Sequence, residues 1–395
     1  MFYSKIFLVD LTCRTPPYTY HIFKELKKKC STILLWVSGC PETYSYLSTK
    51  NSKKALINLY GTFRITHNRS NNYFRRGIKL LEYIINSIII QKLVRNIKPK
   101  VIHYQNFPLI EIFYYVEKFN IIALKKTKSK LVLTVHNVLP HNTNKRLFGK
   151  YKWLYSNVDK LICHTKESRN ILIDEFKIKE EKVHVVKHGP VKSGSKKYKK
   201  QEARIRLGYQ NTENLILFFG GISPYKGVEF LIESFKAVIN EMENTKLIIA
   251  GSGDYKYLNS INKYIYKYHL DKYIDQYFYF LSNEELALLI CAADIVVLPY
   301  KEITHSGVLF TAMEAGKAII ATNKGGLKET IDNGKNGVLV DYGNNKMLSN
   351  SFISLLNDEE FRINIGREAE RMVKEKYSWE KSASKTLKIY KSLIE

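Results

Sequence analysis

The sequence predicts an α/β protein made of two consecutive doubly wound parallel sheets. Three observations lead there. The chain has 395 residues, more than one ordinary domain holds. Short β-branched apolar runs alternate with amphipathic segments from end to end, as strands do when helices cover both faces of their sheet. Between two such series lies the stretch 192–206 (KSGSKKYKKQEARIR), whose polar, basic, Gly/Ser-containing composition marks a boundary and a solvated linker.

In the first series, residues 5–10 form an apolar run of only a few residues ending at Asp10, a first core strand rather than a signal sequence. Further strands are expected at 32–38, 101–105, 131–137, 161–165 and 183–188, and helices at 18–29, 77–97, 110–119 and 167–176. The most apolar helix, 77–97, is interrupted by Lys79, Glu82, Lys92 and Arg95. No stretch reaches the roughly 18–20 uncharged residues of a membrane span. Residues 41–76, with Tyr44, Tyr46, Tyr60, Arg64, Arg69, Arg75 and Arg76, form a long polar excursion of the kind that often carries function. In the second series, strands are expected at 215–219, 246–250, 277–280, 294–299, 318–322 and 337–340. Helices are expected at 227–240, 255–270, 283–293, 306–315 and 327–332. The last segment, 358–395, is helical throughout.

Composition narrows the partners. A formal charge of +26 argues for an anion: nucleic acid, a membrane surface or a phosphorylated metabolite. Cys13, Cys30, Cys40, Cys163 and Cys291 are odd in number and lack any CxxC spacing, which excludes a disulfide framework and a zinc site and fits a reducing, cytosolic compartment.

The chemistry gathers where strands end. Strand 294–299 gives way to a polar loop (KEITH) and a helix opening with Ser306 and Gly307. Such a helix end presents unpaired N–H groups and the positive pole of a dipole, and so attracts anions. Strand 215–219 releases into Gly220-Gly221-Ile222-Ser223-Pro224-Tyr225-Lys226-Gly227, where glycines admit an anion close to the backbone and Lys226 adds a cation. That loop is neither a Walker A nor a GxGxxG motif. A second turn, Gly251-Ser252-Gly253, follows the next strand. Two doubly wound sheets place ligands at the carboxyl ends of their strands, with a cleft between domains as the default site.

The runs FFGGISPYKGVEFLIESF, KLIIAGSGD, LSNEELALLICAADIVVLPY, THSGVLFTAMEAGKAIIATNKGGLKE and NGVLV resemble the donor domain of retaining GT-B glycosyltransferases of family 4. LVLTVHNVLPH, VVKHGP and the terminal YSWEKSASKTLKIYKSLI extend the resemblance over nearly the whole chain. It implies an acceptor-binding domain at 1–190, a linker at 191–206, a donor domain at 207–375, and a C-terminal helix at 376–395 crossing back to the first domain. It also implies transfer of a sugar from a UDP- or GDP-linked donor to a hydroxyl, with retention, no cofactor and no metal.

Carried onto this sequence, the resemblance gives Lys226 the diphosphate, with Ser306, Gly307 and Val308 around the distal phosphate and Gly220, Gly221 and Gly251 in the turns beside it. His136 lies near the transferred sugar. His141 is a weaker candidate, and His188 belongs to the interdomain hinge. Two features depart from the family. Its usual glutamate pair falls here on Ile303 and Thr311, leaving Glu302, one residue away, for the sugar hydroxyls, with Glu314 out of register. The arginine often found after the first glycine is Gly221. Tyr279, Phe280 and Leu281 are expected near the base, though aromatic core packing is an equal reading. Glu329 is taken as a first-turn carboxylate of its helix.

For the acceptor, the resemblance points to a glycan or lipid-diphosphate-linked glycan in surface polysaccharide assembly. Lysine clusters at 24–29 and 125–130 are suited to an anionic bilayer on the cytoplasmic face, where each basic residue contributes about 1 kcal/mol. Two rival readings remain at this level: a basic nucleic-acid-binding protein, which lacks any RNP, KH or helix-turn-helix pattern, and a GT-B enzyme of other chemistry.

Overall fold

The computed structural model describes residues 2–11, 16–37, 73–139, 145–190 and 198–395. The excursion at 41–72, together with Cys13, Cys40 and His141, lies outside the described residues. Two compact units emerge: Met1–His188 with Trp379–Glu395, and Gly189–Ser378.

The first unit is a six-stranded sheet in the order β2-β1-β3-β4-β5-β6, parallel throughout. Its elements are β1 (Ile6–Asp10), α1 (Pro16–Lys29), β2 (Ile33–Val37), α2 (Tyr73–Ile97), β3 (Val101–Tyr104), α3 (Tyr114–Lys125), β4 (Lys130–Val135), α4 (Lys145–Ser156), β5 (Lys160–Cys163), α5 (Lys166–Asp174) and β6 (Val183–Val185). All five residues of β1 are buried, as a central parallel strand requires. Strand ends fall short of the expected limits because pairing stops with the shortest neighbour: β4 runs beside β5 only as far as Val135, opposite Cys163. His136 and Asn137 therefore stand beyond the ladder, at the sheet's carboxyl edge. The helix expected at 110–119 begins later, at Tyr114, because the preceding loop is tied inward, Leu109 N–H donating to the Glu117 carboxylate at 3.0 Å.

The second unit comprises α6 (Lys200–Leu207), β7 (Asn214–Phe219), α7 (Val228–Glu241), β8 (Thr245–Ala250), α8 (Tyr255–Lys267), β9 (Ile274–Tyr277), α9 (Asn283–Ala292), β10 (Ile295–Leu298), α10 (Gly307–Glu314), β11 (Ala318–Thr322), α11 (Gly325–Thr330), β12 (Val338–Val340), α12 (Asn345–Asn357) and α13 (Glu359–Lys376). Its parallel sheet runs β12-β11-β10-β7-β8-β9, so the order reverses between β7 and β10. In an open α/β sheet that switch point is where a crevice opens at the carboxyl ends.

Three expectations are corrected here. The strand expected at 277–280 is β9, three residues earlier, closed by a tight turn in which Tyr279 N–H donates to the Tyr277 carbonyl. Residues 200–207, expected to end the linker, form α6. Its Arg204 is 1% exposed and donates to the carbonyls of Ala292, Gln210, Asn211 and Glu213 and to the Asp294 carboxylate. A basic run in sequence thus hides one buried anchor. The terminal 358–395 is two helices, broken at Tyr377 and Ser378. The second, α14 (Trp379–Lys391), belongs to the first unit. Its Ala383, Ile389 and Tyr390 share a core with Ile6, Leu8, Ile22 and Leu26. The Tyr390 hydroxyl lies 2.6 Å from His103 Nδ1, and His103 Nε2 lies 2.8 Å from Thr134 Oγ1, tying α14 to the sheet.

Among the described residues no helix is long and apolar enough to cross a membrane. Cys30, Cys163 and Cys291 are buried and form no disulfide among the described residues.

Candidate active site

The loops after β7 and β10 meet in the second unit. After β7 the chain turns at Gly220 and Gly221 and enters a single 3-10 turn, Pro224–Lys226. Gly227 closes that turn at φ +66, where a Cβ would stand 2.0 Å from the Pro299 carbonyl oxygen, so only glycine lets it pack on the end of β10. Lys301 N–H donates to the Tyr225 carbonyl, fastening the two loops together. The turn after β8 presses equally close: a Cβ on Gly251, at φ +150, would lie 1.7 Å from the Gly220 carbonyl oxygen.

These constraints aim Lys226 inward. It is 7% exposed, with Nζ 3.7 Å from the centroid of the Tyr300 ring and 5.0 Å from that of Tyr225. Among the described residues it has no carboxylate partner and no side-chain hydrogen bond. Burial lowers its pKa to about 7. Two aromatic faces only partly compensate a desolvated ammonium. The site is therefore short of one negative charge.

Where that charge would sit is set by α10. Ser306 caps the helix, its Oγ accepting from Leu309 N–H at 3.3 Å. By helix geometry the N–H groups of Gly307 and Val308 have no intrahelical acceptor. A Cβ on Gly220 would come within 3.1 Å of Val308 Cγ2, so the glycine turn and the helix start are neighbours. Tyr300 connects Lys226 to this end: burial pushes its phenol up, and the adjacent Ser306 hydroxyl opposes the shift. Gly220, Gly251, Lys226, Ser306, Gly307 and Val308 thus come together, while Gly221 stands exposed beside them. The sequence reading missed Tyr225 and Tyr300; the one signal was that Tyr225 adjoins Lys226 and Tyr300 directly follows the end of strand 294–299.

Other expected donor contacts fall elsewhere. The Thr311 hydroxyl donates to the Gly307 carbonyl at 2.9 Å and the residue is buried, so it serves the helix and not a ligand. Leu281 belongs to the hydrophobic core. Phe280 is 63% exposed on the loop after β9, and the Tyr279 hydroxyl is engaged with Glu285. Glu302 is exposed, four residues before Ser306.

In the first unit, His136 follows β4 at the same edge. Its ring lies 4.9 Å from that of Tyr18 and 5.2 Å from that of His164, and His188 packs 6.0 Å from Tyr18. Burial, and secondarily the nearby His188, lowers the His136 pKa to about 3, so it is a neutral imidazole at physiological pH. His188 stacks on Trp379 of α14.

Two doubly wound parallel units in one chain define the GT-B fold of glycosyltransferases. The family models agree. Residues 18–190 match "Glycosyltransferase Family 4" and residues 199–372 match "Glycosyl transferases group 1". The two halves of the chain thus each match a glycosyltransferase model, one of family 4 and one of group 1. It is 34% identical over 193 residues to one uncharacterized glycosyltransferase of Methanocaldococcus jannaschii, a match spanning 49% of this chain and 48% of that protein. A second from the same organism is 29% identical over 335 residues, 83% of this chain and 85% of the other. The chain thus spans about half the length of the first relative and most of the second. Among solved structures it is similar in fold to Anabaena HepE in complex with UDP, with TM-score 0.77, 17% identity and coverage of 98% and 100%. It is also similar to sucrose-phosphate synthase from Thermosynechococcus elongatus, with TM-score 0.76, 16% identity and coverage of 98% and 99%.

Proposed function

We propose that the second unit binds a nucleoside-diphosphate sugar and that the protein transfers the sugar, with retention, to a hydroxyl of a glycan or lipid-diphosphate-linked glycan in surface polysaccharide assembly. One observation carries the reading: Lys226 is a buried ammonium with no anionic partner, set beside the open N-terminus of α10. The leaving nucleoside diphosphate gains negative charge as its bond to the sugar breaks. Lys226 and the Gly307 and Val308 N–H groups, fixed by packing, stabilise that charge without reorganising. They supply the positive field that a divalent ion would otherwise give, so transfer proceeds in EDTA. The similar Anabaena protein is described in complexes with UDP, UDP with glucose, and UDP-glucose, which supports a uridine donor.

His136 enters as a neutral group of the first unit that positions the transferred sugar, and Glu302 as an exposed carboxylate for its hydroxyls. Phe280 offers an aromatic face for the base. The charge of +26 suits peripheral binding to the cytoplasmic membrane face, where a lipid-linked acceptor resides.

The test is a screen of UDP- and GDP-sugars by donor hydrolysis, with thermal shift by UDP, GDP and an oligonucleotide. A nucleoside diphosphate should raise the melting temperature more than the oligonucleotide does. Lys226→Ala should keep the fold and lose turnover by orders of magnitude, whereas unchanged turnover refutes the donor site.

A further inference from the structure

The first unit contains a cavity of about 200 Å³ at the carboxyl ends of β3 and β4, next to His136. Gln105 lines it. The residue directly follows β3, and its N–H donates to the Val9 carbonyl at 2.9 Å, which fixes the backbone in the sheet. The side chain is 1% exposed, yet among the described residues neither its amide nitrogen nor its amide oxygen has a hydrogen-bond partner. Leaving such groups unmade costs about 1–3 kcal/mol apiece, which a stable core avoids unless something else satisfies them.

The size and lining of the cavity select the ligand. One water takes roughly 30 Å³ of liquid, so there is room for several, while pockets for drug-sized ligands begin near 300 Å³. One small ring is therefore the largest solute it suits. Although the chain carries +26, no lysine or arginine lines the cavity among the described residues, and the one carboxylate among them, Glu111, accepts from the Tyr151 hydroxyl at 2.8 Å. A phosphate would find no cation there. Phe107, held by stacking on Tyr104 with ring centroids 4.5 Å apart, and Leu154 give an apolar wall. A carboxamide in a cavity that also has apolar lining matches a solute with hydroxyls on its edge and C–H groups on its face, because one hydroxyl accepts from the amide N–H while another donates to its oxygen.

We propose that this cavity is the subsite for one neutral sugar ring of the acceptor, with the Gln105 carboxamide as its specificity-determining contact. The proposal rests on the transferase reading for the word acceptor; the site itself rests on the cavity.

The test titrates methyl glycosides of glucose, galactose, mannose and N-acetylglucosamine into the full chain by saturation-transfer NMR, and UDP into the same samples by calorimetry. Wild type should bind at least one glycoside, with UDP present or absent. Gln105→Leu should weaken that binding at least tenfold, leave UDP affinity unchanged, and melt no lower than wild type, because it removes an unsatisfied buried amide. Gln105→Met is the second variant. The proposal is overturned if no glycoside binds wild type, if both variants bind as wild type does, or if both fail to fold, which would make the amide structural. Loss of UDP binding in wild type would instead refute the donor reading and leave the sugar result to stand alone.

Discussion

Lys226 holds a charge that the folded protein is penalised for carrying. Its pKa is about 7 in the native state against about 10.5 unfolded, so between those values the unfolded chain binds more protons and stability rises with pH. The penalty is full below pH 7 and gone above 10.5. Lys226→Met should therefore raise the melting temperature of the ligand-free protein at pH 6, by the equivalent of a few kcal/mol, with the gain vanishing by pH 10–11. The same variant should lose the stabilisation by UDP, and wild-type UDP affinity should fall as pH rises above 7, by at most about tenfold per unit. A titration showing no proton uptake on binding would contradict the assignment. His136 is lowered too: burial holds its imidazole neutral, so in the native state it does not ionise near pH 6.5, and His136→Ala should cost transfer severely while nucleotide binding is kept. Much of this site was legible, because a glycine-flanked lysine and a Ser-Gly helix start are local signals. Tyr300, the Thr311 back-bond and the orphaned amide of Gln105 were not, since each depends on what lies across the sheet and not along the chain.

At the scale of elements, the strands were the readable part and several helices were not. Fully buried parallel strands are continuous apolar runs and announce themselves. By contrast α6 reads KQEARIRL, mostly polar with no clear apolar face, and its place depends on one side chain. Burial alone would raise the Asp294 carboxyl, but Lys200, Leu215 N–H and Arg204 outweigh it and hold it below the usual range. Removing Arg204 leaves that carboxylate buried with one cation fewer and exposes three loop carbonyls to no donor. A broken buried pair costs about 3–5 kcal/mol. In a unit of this size that lowers the melting temperature by roughly 6–20 °C. Arg204→Lys should rescue little, lacking the fork that reaches four carbonyls and a carboxylate at once. Differential scanning calorimetry of the two variants decides it, and an Arg204→Ala melting point within 2 °C of wild type would show that α6 is a linker after all.

For the whole molecule, the excess of 63 basic over 37 acidic residues makes association with anionic surfaces steep in salt. Co-sedimentation with phosphatidylserine vesicles is expected at low ionic strength and should fade by a few tenths molar salt; absence at low salt removes the membrane from the account. Charge was plain in the sequence, but its meaning was not, because composition does not say which surface gathers it.

The return of α14 to the first sheet has a further consequence, in the order of synthesis. The first unit lacks Ala383, Ile389 and Tyr390, and with Tyr390 one of the two hydrogen-bond partners of His103, until residues 379–395 have left the ribosome. The second unit is complete by Ser378. Of the two units, the one begun earlier is therefore finished later, and a stop within 379–395 damages a sheet whose strand β1 was made long before. Deleting 379–395 should leave the second unit's melting transition in place and abolish the first's, so that a chain stalled after Ser378 has its second unit intact before its first.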